Sequence, residues 1–565
     1  MAKKSPKADL RNLPAPAAEF IRLVIKKMRY RRKVRAEVMA ELAAHFEDEL
    51  KDCRNDEERE QKAQRLIEKF GDAKLLGILL RRAKKRCRPL WRTVVARTFQ
   101  TGAILILCLV VYVIWFLSGR PNITVDYVAE LNRMVRPTAD ESLNAGPFYN
   151  KAVQLYEEKS SDEISELLGT KYNEVTDKQK ETIERWLNDN KEIFDLVTAG
   201  TDKPYYWQEY KETEGREGEG MISVIMPNLG EFRKITYALQ WRAWLSAEKG
   251  LYDEALEDAM ACYRLGRHLK PDKTIIEQLV GIAIEALALK TVRDIISEQK
   301  TDSAALAALQ QDLEQITANE SFVISVKTER LFMYDEIQRC FTEDRLGHGH
   351  IYLPRITGLI EMTESGRGEK GTWFDSFCAD LVYYLQCGGL IFIHPNKKET
   401  LRTANEFYDY FEQLAVKSAA QMNAEREAID TKFEKLFGKN VLMRTLAPAL
   451  RRVIEQGNCN STEVRATVAV VAILRYQQDT GSYPESLEEL ITAGYLEELP
   501  LDSFSDKPLV YKKTDGDFIL YSVGRNCIDD GGQVWRDDKG RPRPWGDEGD
   551  AVFWPVFKPE IKKEQ

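Results

Sequence analysis

His348 and His350 in "EDRLGHGHIYL" are the one close histidine pair among the five His of this 565-residue chain. With Glu343 and Asp344 just ahead, they supply the residue types that ligate a metal such as zinc. Gly347 and Gly349 make the segment a flexible loop, however, and no further His or Cys recurs at ligand spacing nearby, so a plain loop is the expected reading. His45, beside Glu47 and Asp48, reads as a helix-surface histidine. The chain holds no Walker A pattern, dinucleotide fingerprint, G-x-S-x-G or H-E-x-x-H. Its many Asp and Glu residues follow helix surfaces, and no catalytic or cofactor-binding residue is nominated.

The elements around these residues are set first by charge. Residues 1–98 carry 27 Lys and Arg against 14 Asp and Glu, while the remainder carries 55 against 76, so a net charge of −8 hides two opposed parts. They meet at "FQTGAILILCLVVYVIWFL", residues 99–117, which has no charged side chain. At about 1.5 Å per residue it reaches roughly 28 Å, close to the ~30 Å hydrocarbon thickness of a bilayer. Its twelve Leu, Ile, Phe and Val residues favour insertion by about 4 to 7 kcal/mol. It lies too far from the start, and is too long, for a signal peptide. Eight basic residues and no acidic one lie between Arg81 and Arg97, which puts the N-terminus in the cytoplasm and the C-terminal bulk outside it. The run "RRAKKRCR" is therefore read as a topology determinant touching anionic lipid, not as a nucleic-acid patch.

Residues 1–16 lack apolar periodicity and carry three Pro, which reads as disorder. From residue 17 to 92 the pattern is helical. Val38, Leu42, Ala43 and Phe46 recur at helical spacing, as do Ala63, Leu66, Ile67 and Phe70; Asn55 or Asp56, then Asp72, are the expected caps, with Gly71 as a stop. "AELAAHFEDEL" followed by "EEREQKAQRLIEKFGDAKLLGILL" resembles the HAAS domain, a small helical module ahead of membrane segments in bacterial permease-like and sensor-like proteins. That resemblance covers roughly residues 20–88 and implies regulation or protein binding.

Residues 125–456 read as a large α-helical domain, with the loops "TEGREGEG" at 213–220 and "TESGRGEKG" at 363–371 as surface insertions. Within it, 237–271 resembles one tetratricopeptide unit, with Leu245, Gly250, Tyr252, Ala255 and Pro271 near their places; a generic helical hairpin accounts for the same pattern. "LVYYLQCGGLIFIH" at 381–394 is too short for a second span. Six cysteines (Cys262, Cys340, Cys378, Cys387, Cys459 and Cys527) fall beyond the span, where disulfides form, and a Cys459–Cys527 bond would staple the last helix to the last loop.

The chain closes on a helix from about Thr462 to Asp479, a second helix in "PESLEELITAGYL", and two strands, "KPLVYKK" and "DFILYSVG", around an Asp-Gly turn. "YQQDTGSYP", "LEELITAGYLEELPLDSFSDKPLVY" and "DFILYSVGRNCIDDGG" running to "WGDEGDAVFWP" resemble the globular part of the major pseudopilin of type II secretion, pseudopilin G, over residues 461–557. In that family the last loop binds calcium, which carries here onto Asn526, Asp529, Asp530, Asp547 and Asp550, an oxygen-only set suited to a hard cation. The insertion "QVWRDDKGRPRP" separates the two acidic clusters. A pseudopilin's basic leader, Gly cleavage point and membrane-helix Glu have no counterpart, so a polymerising pilin subunit is not expected.

The sequence thus points to a mainly α fold: helical cytoplasmic head, single transmembrane helix, large extracytoplasmic α-helical domain and small α+β C-terminal domain. The expected role is a non-catalytic scaffold, signal-relay or assembly protein of the bacterial inner membrane. Its expected partners are the bilayer and proteins on both sides, not nucleic acid. Two alternatives are an envelope enzyme with its site near His348 and His350, and an accessory protein of a type II secretion system.

Overall fold

Local signals set the helix ends of the first part of the chain. The Asn55 side chain accepts the Glu58 N–H at 3.2 Å to start the Asp56–Phe70 helix, and Gly71, at φ +73°, ends it. Asp72 accepts the Leu75 N–H at 2.8 Å and opens the Ala73–Arg86 helix. In the computed structural model the described residues are 9–86, 90–216, 218–226, 228–298, 300–318, 324–344, 348–356, 394–446, 450–537 and 540–556. They are mainly helical, and the chain divides into two units, Met1–Trp115 and Phe116–Gln565.

In the first unit four helices, Ala15–Met28, Arg32–Glu49, Asp56–Phe70 and Ala73–Arg86, surround Phe20, Ile21, Val24, Val38, Phe46 and Ala63. Phe46 and Phe70 lie 5.5 Å apart, and the exposed His45 meets the edge of Phe70. Gly77 lets two helices touch, since a Cβ there would fall 2.9 Å from the Val24 carbonyl oxygen. The expectation of disorder through residue 16 is corrected for 9–16: Leu13 is buried in this core and a helix starts at Ala15, behind Pro14. Apolar anchoring by single residues there is too sparse to register as periodicity.

The helix Leu90–Ser118 follows, and its Val94–Ser118 portion, 25 residues, is long and apolar enough to cross a membrane. At about 1.5 Å per residue that portion extends roughly 38 Å, more than the 99–117 stretch alone, because helix formation does not stop at Arg97.

In the second unit the Leu229–Glu248 and Tyr252–His268 helices form the expected hairpin, turning at Gly250, φ +81°, with Leu245 and Ala255 buried. The Ile275–Ile296 helix packs on the hairpin's second arm at backbone distance: a Cβ on Gly281 would lie 2.5 Å from the Gly266 carbonyl oxygen. The loop at 213–220 differs from a plain surface insertion. Gly220 is buried, and the Glu212 carboxylate accepts N–H groups from Gly218 and Gly220, so the glycines fold the loop inward onto the chain. The 363–371 loop and the 381–393 stretch lie outside the described residues.

The last long helix runs Leu450–Thr480, twelve residues earlier than the sequence pattern placed its start. The expected boundary at 456–461 therefore falls inside one helix. Val464, Ala469, Val470 and Ile473 of this helix belong to the same hydrophobic core as Trp241, Ala259 and Leu289. The helix also packs against the Ser303–Ala318 helix and an antiparallel sheet of Val510–Thr514, Asp517–Ser522 and Ala551–Trp554, in that order; the third strand went unread in the sequence. The Trp554 ring stacks on Phe518 at 5.2 Å. The Cys459–Cys527 staple is absent: both thiols are free, with Arg525 lying against Cys459 and Cys527 held at φ +58°. Cys262 and Cys340 are also free and buried, while Cys378 and Cys387 lie outside the described residues.

Burial holds His268 neutral, its pKa lowered to about 4. In the neutral ring Nε2–H donates to the Lys203 carbonyl at 2.9 Å and Nδ1 accepts the Tyr149 hydroxyl at 2.7 Å. Between the unfolded value near 6.5 and the folded value, the unfolded chain binds the extra proton, so stability present above pH ~6.5 is lost as pH falls toward 4. His268 is expected to account for about 3 kcal/mol of that loss. Chemical denaturation of wild type and His268→Gln across this range should show the variant with the shallower pH slope.

Candidate functional site

The C-terminal loop is built on Asp502, which is buried. Its Oδ1 accepts the Phe504 N–H at 3.0 Å and the Ser522 hydroxyl at 2.8 Å, and its Oδ2 accepts the Val523 N–H at 3.0 Å. The carboxylate thereby fixes where the chain leaves the central strand. Gly524 then crosses Gly549 so closely that a Cβ would fall 2.4 Å from the Gly549 carbonyl oxygen, and its φ of +71° suits glycine alone. The crossing brings the two ends of the acidic loop together despite the insertion between them.

Asp550 sits fully buried at this crossing and accepts N–H groups from Asp530 at 3.2 Å and Gly532 at 2.6 Å. Asp529 accepts the Gly531 N–H at 2.9 Å and the Tyr521 hydroxyl at 2.8 Å. Asn526 donates to the Asp530 carboxylate at 2.8 Å. The structure thus brings Asn526, Asp529, Asp530 and Asp550 into one network, and Asp547 does not join it. Burial pushes the Asp550 carboxyl up, with the Asp529 and Asp530 charges adding to the shift, while the two amide N–H groups oppose it. The Gly531 N–H and Tyr521 hydroxyl hold the Asp529 carboxyl down.

The donor chemistry of these four residues fits a hard cation, since every group offers oxygen and three are carboxylates. Lys512, whose Nζ donates to the Gly531 carbonyl at 3.4 Å, already sets one positive charge beside Asp529 and Asp550. Among the described residues no three His, Cys, Asp or Glu side chains already converge on one point, so a cation there would draw on backbone and amide oxygens too.

The histidine loop is arranged differently from a metal centre. His350 Nε2 lies 2.7 Å from the Phe116 carbonyl oxygen, its Nδ1 3.2 Å from Thr342 Oγ1, and its ring 4.6 Å from the Phe116 ring. Glu343 instead accepts the Asn122 amide at 2.8 Å, and the Asp344 carboxylate accepts the His348 backbone N–H at 2.6 Å. His350 and Glu343 thus hold the chain around the end of the apolar helix, at Phe116 and Asn122, while the Asp344 bond to His348 stays within the loop. Gly119 and Gly349 permit this, since a Cβ on either would collide with Thr342.

Sequence reasoning missed two further features. The Lys327–Cys340 helix buries Asp335 and Glu336, which pair with Arg339 at 2.9 Å and Arg355 at 2.7 Å. The available signal was their place in "LFMYDEIQRC", among the buried Met333, Ile337 and Cys340. At the start of the same helix, burial raises the Glu329 carboxyl to about 7. This gives one carboxyl poised to exchange protons near neutrality, a property no local pattern announces.

Compared with known proteins, the chain matches no family model, no curated protein and no solved structure.

Asp502→Ala is expected to leave the Ser522, Val523 and Phe504 donors unpaired in the interior, at a cost of about 3 kcal/mol. Urea unfolding of the detergent-solubilised chain followed by tryptophan fluorescence checks the size, and the loss should exceed that of the exposed control Asp515→Ala several-fold.

Proposed function

We propose that this chain is a membrane-anchored scaffold or signal-relay protein, with a regulatory head in the cytoplasm and a large recognition body outside the bacterial inner membrane. The observation that carries this reading is the Leu90–Ser118 helix, most of whose apolar side chains from Phe99 to Trp115 stand exposed, with Tyr112 and Val113 half-buried and Phe116 buried. Exposed apolar surface on that scale needs a covering medium, and a bilayer supplies one. The basic flank before the helix supports the orientation. The head resembles one family, and the end of the chain another, whose members bind other proteins, which supports a non-catalytic role.

In this reading the end of the chain is a calcium-stiffened recognition surface. Asn526, Asp529, Asp530 and Asp550 would hold the ion, which neutralises their mutual repulsion and so stiffens the loop beside Tyr521. Because Asp550 must ionise to bind, affinity rises with pH. An accessory role beside a secretion system is the neighbouring reading, supported by the helix-plus-sheet arrangement at 450–556.

Calcium titration of the full-length protein is expected to raise its melting temperature, and Asp529→Asn combined with Asp530→Asn to weaken binding roughly tenfold or more. A melting curve indifferent to calcium and chelator alike would remove the ion from the account.

Orientation and partners are tested together. A tag after Gln565 should react with a membrane-impermeant reagent on spheroplasts, and purification through it, with the membrane segment intact, should recover a stoichiometric protein partner. Labelling only after lysis would overturn the topology, and recovery of the chain alone, with and without calcium, would overturn the scaffold role.

A further inference from the structure

The Ala73–Arg86 helix of the first unit shows two unlike faces. Ala73 and Gly77 are buried, and Leu76 and Leu80 pack into the head's core. Leu75, Ile78 and Leu79, at the i, i+3, i+4 spacing of one helix face, stand exposed at 59%, 38% and 51%. Exposed Lys74, Arg81, Arg82 and Lys85 surround this stripe, and no Asp or Glu occurs from residue 73 to 125. Asp72 caps the helix at the Leu75 N–H, and Glu41 pairs with Lys84 on the helix's other side. Beyond these, an apolar stripe flanked by basic side chains unpaired among the described residues matches an anionic leaflet, where acyl chains and phosphates offer both complements at one depth. The tether is short: seven residues, 87–93, separate the helix from the apolar segment starting at Val94, a reach of about 25 Å at most.

We propose that this face lies in the interfacial layer of an anionic membrane leaflet, with Leu75, Ile78 and Leu79 among the upper acyl carbons and Lys74, Arg81, Arg82 and Lys85 against lipid phosphates. The inference rests on reading Leu90–Ser118 as a membrane span, and it adds a second, reversible contact that sets how the head presents its remaining surface. A second copy of the chain fits the face poorly, because docking would oppose two cationic surfaces. Neutralising basic residues on this face, by partner or modification, would release the head while the span stays in place.

The test uses the full-length chain in vesicles of phosphatidylcholine with or without phosphatidylglycerol, with Leu79 replaced by photoreactive p-benzoylphenylalanine. Irradiation is expected to give a single-lipid adduct in the anionic vesicles and much less in the neutral ones. Arg81→Gln and Arg82→Gln are each expected to lower the yield by roughly fivefold. The same probe at exposed Glu68, on another helix, should capture no lipid. A crosslinked dimer at position 79, capture of another protein, or no adduct would overturn the proposal. The probe at Leu107 keeps the two readings apart. Lipid captured at 107 but not at 79 sinks the interfacial face alone, whereas capture at neither sinks the membrane span with it.

Discussion

The second unit depends on a buried polar seam along one helix. Arg293, from the Ile275–Ile296 helix, reaches Glu463 at 2.6 Å and Thr467 at 2.6 Å, both inside the core. Nearby, Glu285 takes the Asn460 amide at 2.6 Å and pairs with Lys270 at 2.8 Å. Removing one member of such a pair leaves an uncompensated buried charge, at a cost of about 3 to 5 kcal/mol, so the seam fixes the register of the Leu450–Thr480 helix. Everything C-terminal inherits its position from that helix, including the sheet and the acidic loop. A purely apolar interface would hold the helix as tightly but would tolerate sliding by a turn.

The C-terminal sheet is not a separate module on a linker: Phe518, Leu520 and Phe553 share one hydrophobic core with Trp241 and Leu289 of the helical body. A second fixed point lies in the last turn of the apolar helix, where Phe116 is buried and its carbonyl is held by His350. Glycines 119 and 349 make that contact possible by removing side chains where backbones meet.

Charge organises the other end. The head's core is small and aromatic, built on Phe20, Phe46 and Phe70, and from Ala73 to Arg97 the sequence carries basic residues and no acidic one. In the proposed membrane setting, the lysines and arginines serve both topology and contact with lipid.

The sequence by itself determined the elements whose signal is local: the apolar helix, the caps at Asn55 and Asp72, the Gly250 hairpin and the Asp515–Gly516 strand turn. Each depends on residues within a few positions of one another, where periodicity and turn chemistry operate. Tertiary structure decided what local patterns cannot encode. The last helix gains its first turns because Val453, Ile454 and Asn460 find buried partners elsewhere in the chain. Its third strand partner, Ala551–Trp554, is a four-residue segment defined only by pairing. Of the five acidic-loop residues, Asn526, Asp529, Asp530 and Asp550 were joined and Asp547 was left out by the crossing of Gly524 with Gly549, a long-range steric event. His350 looked like a ligand in sequence and became a backbone clasp in space, because what an imidazole does is set by whichever group folding delivers to its nitrogens.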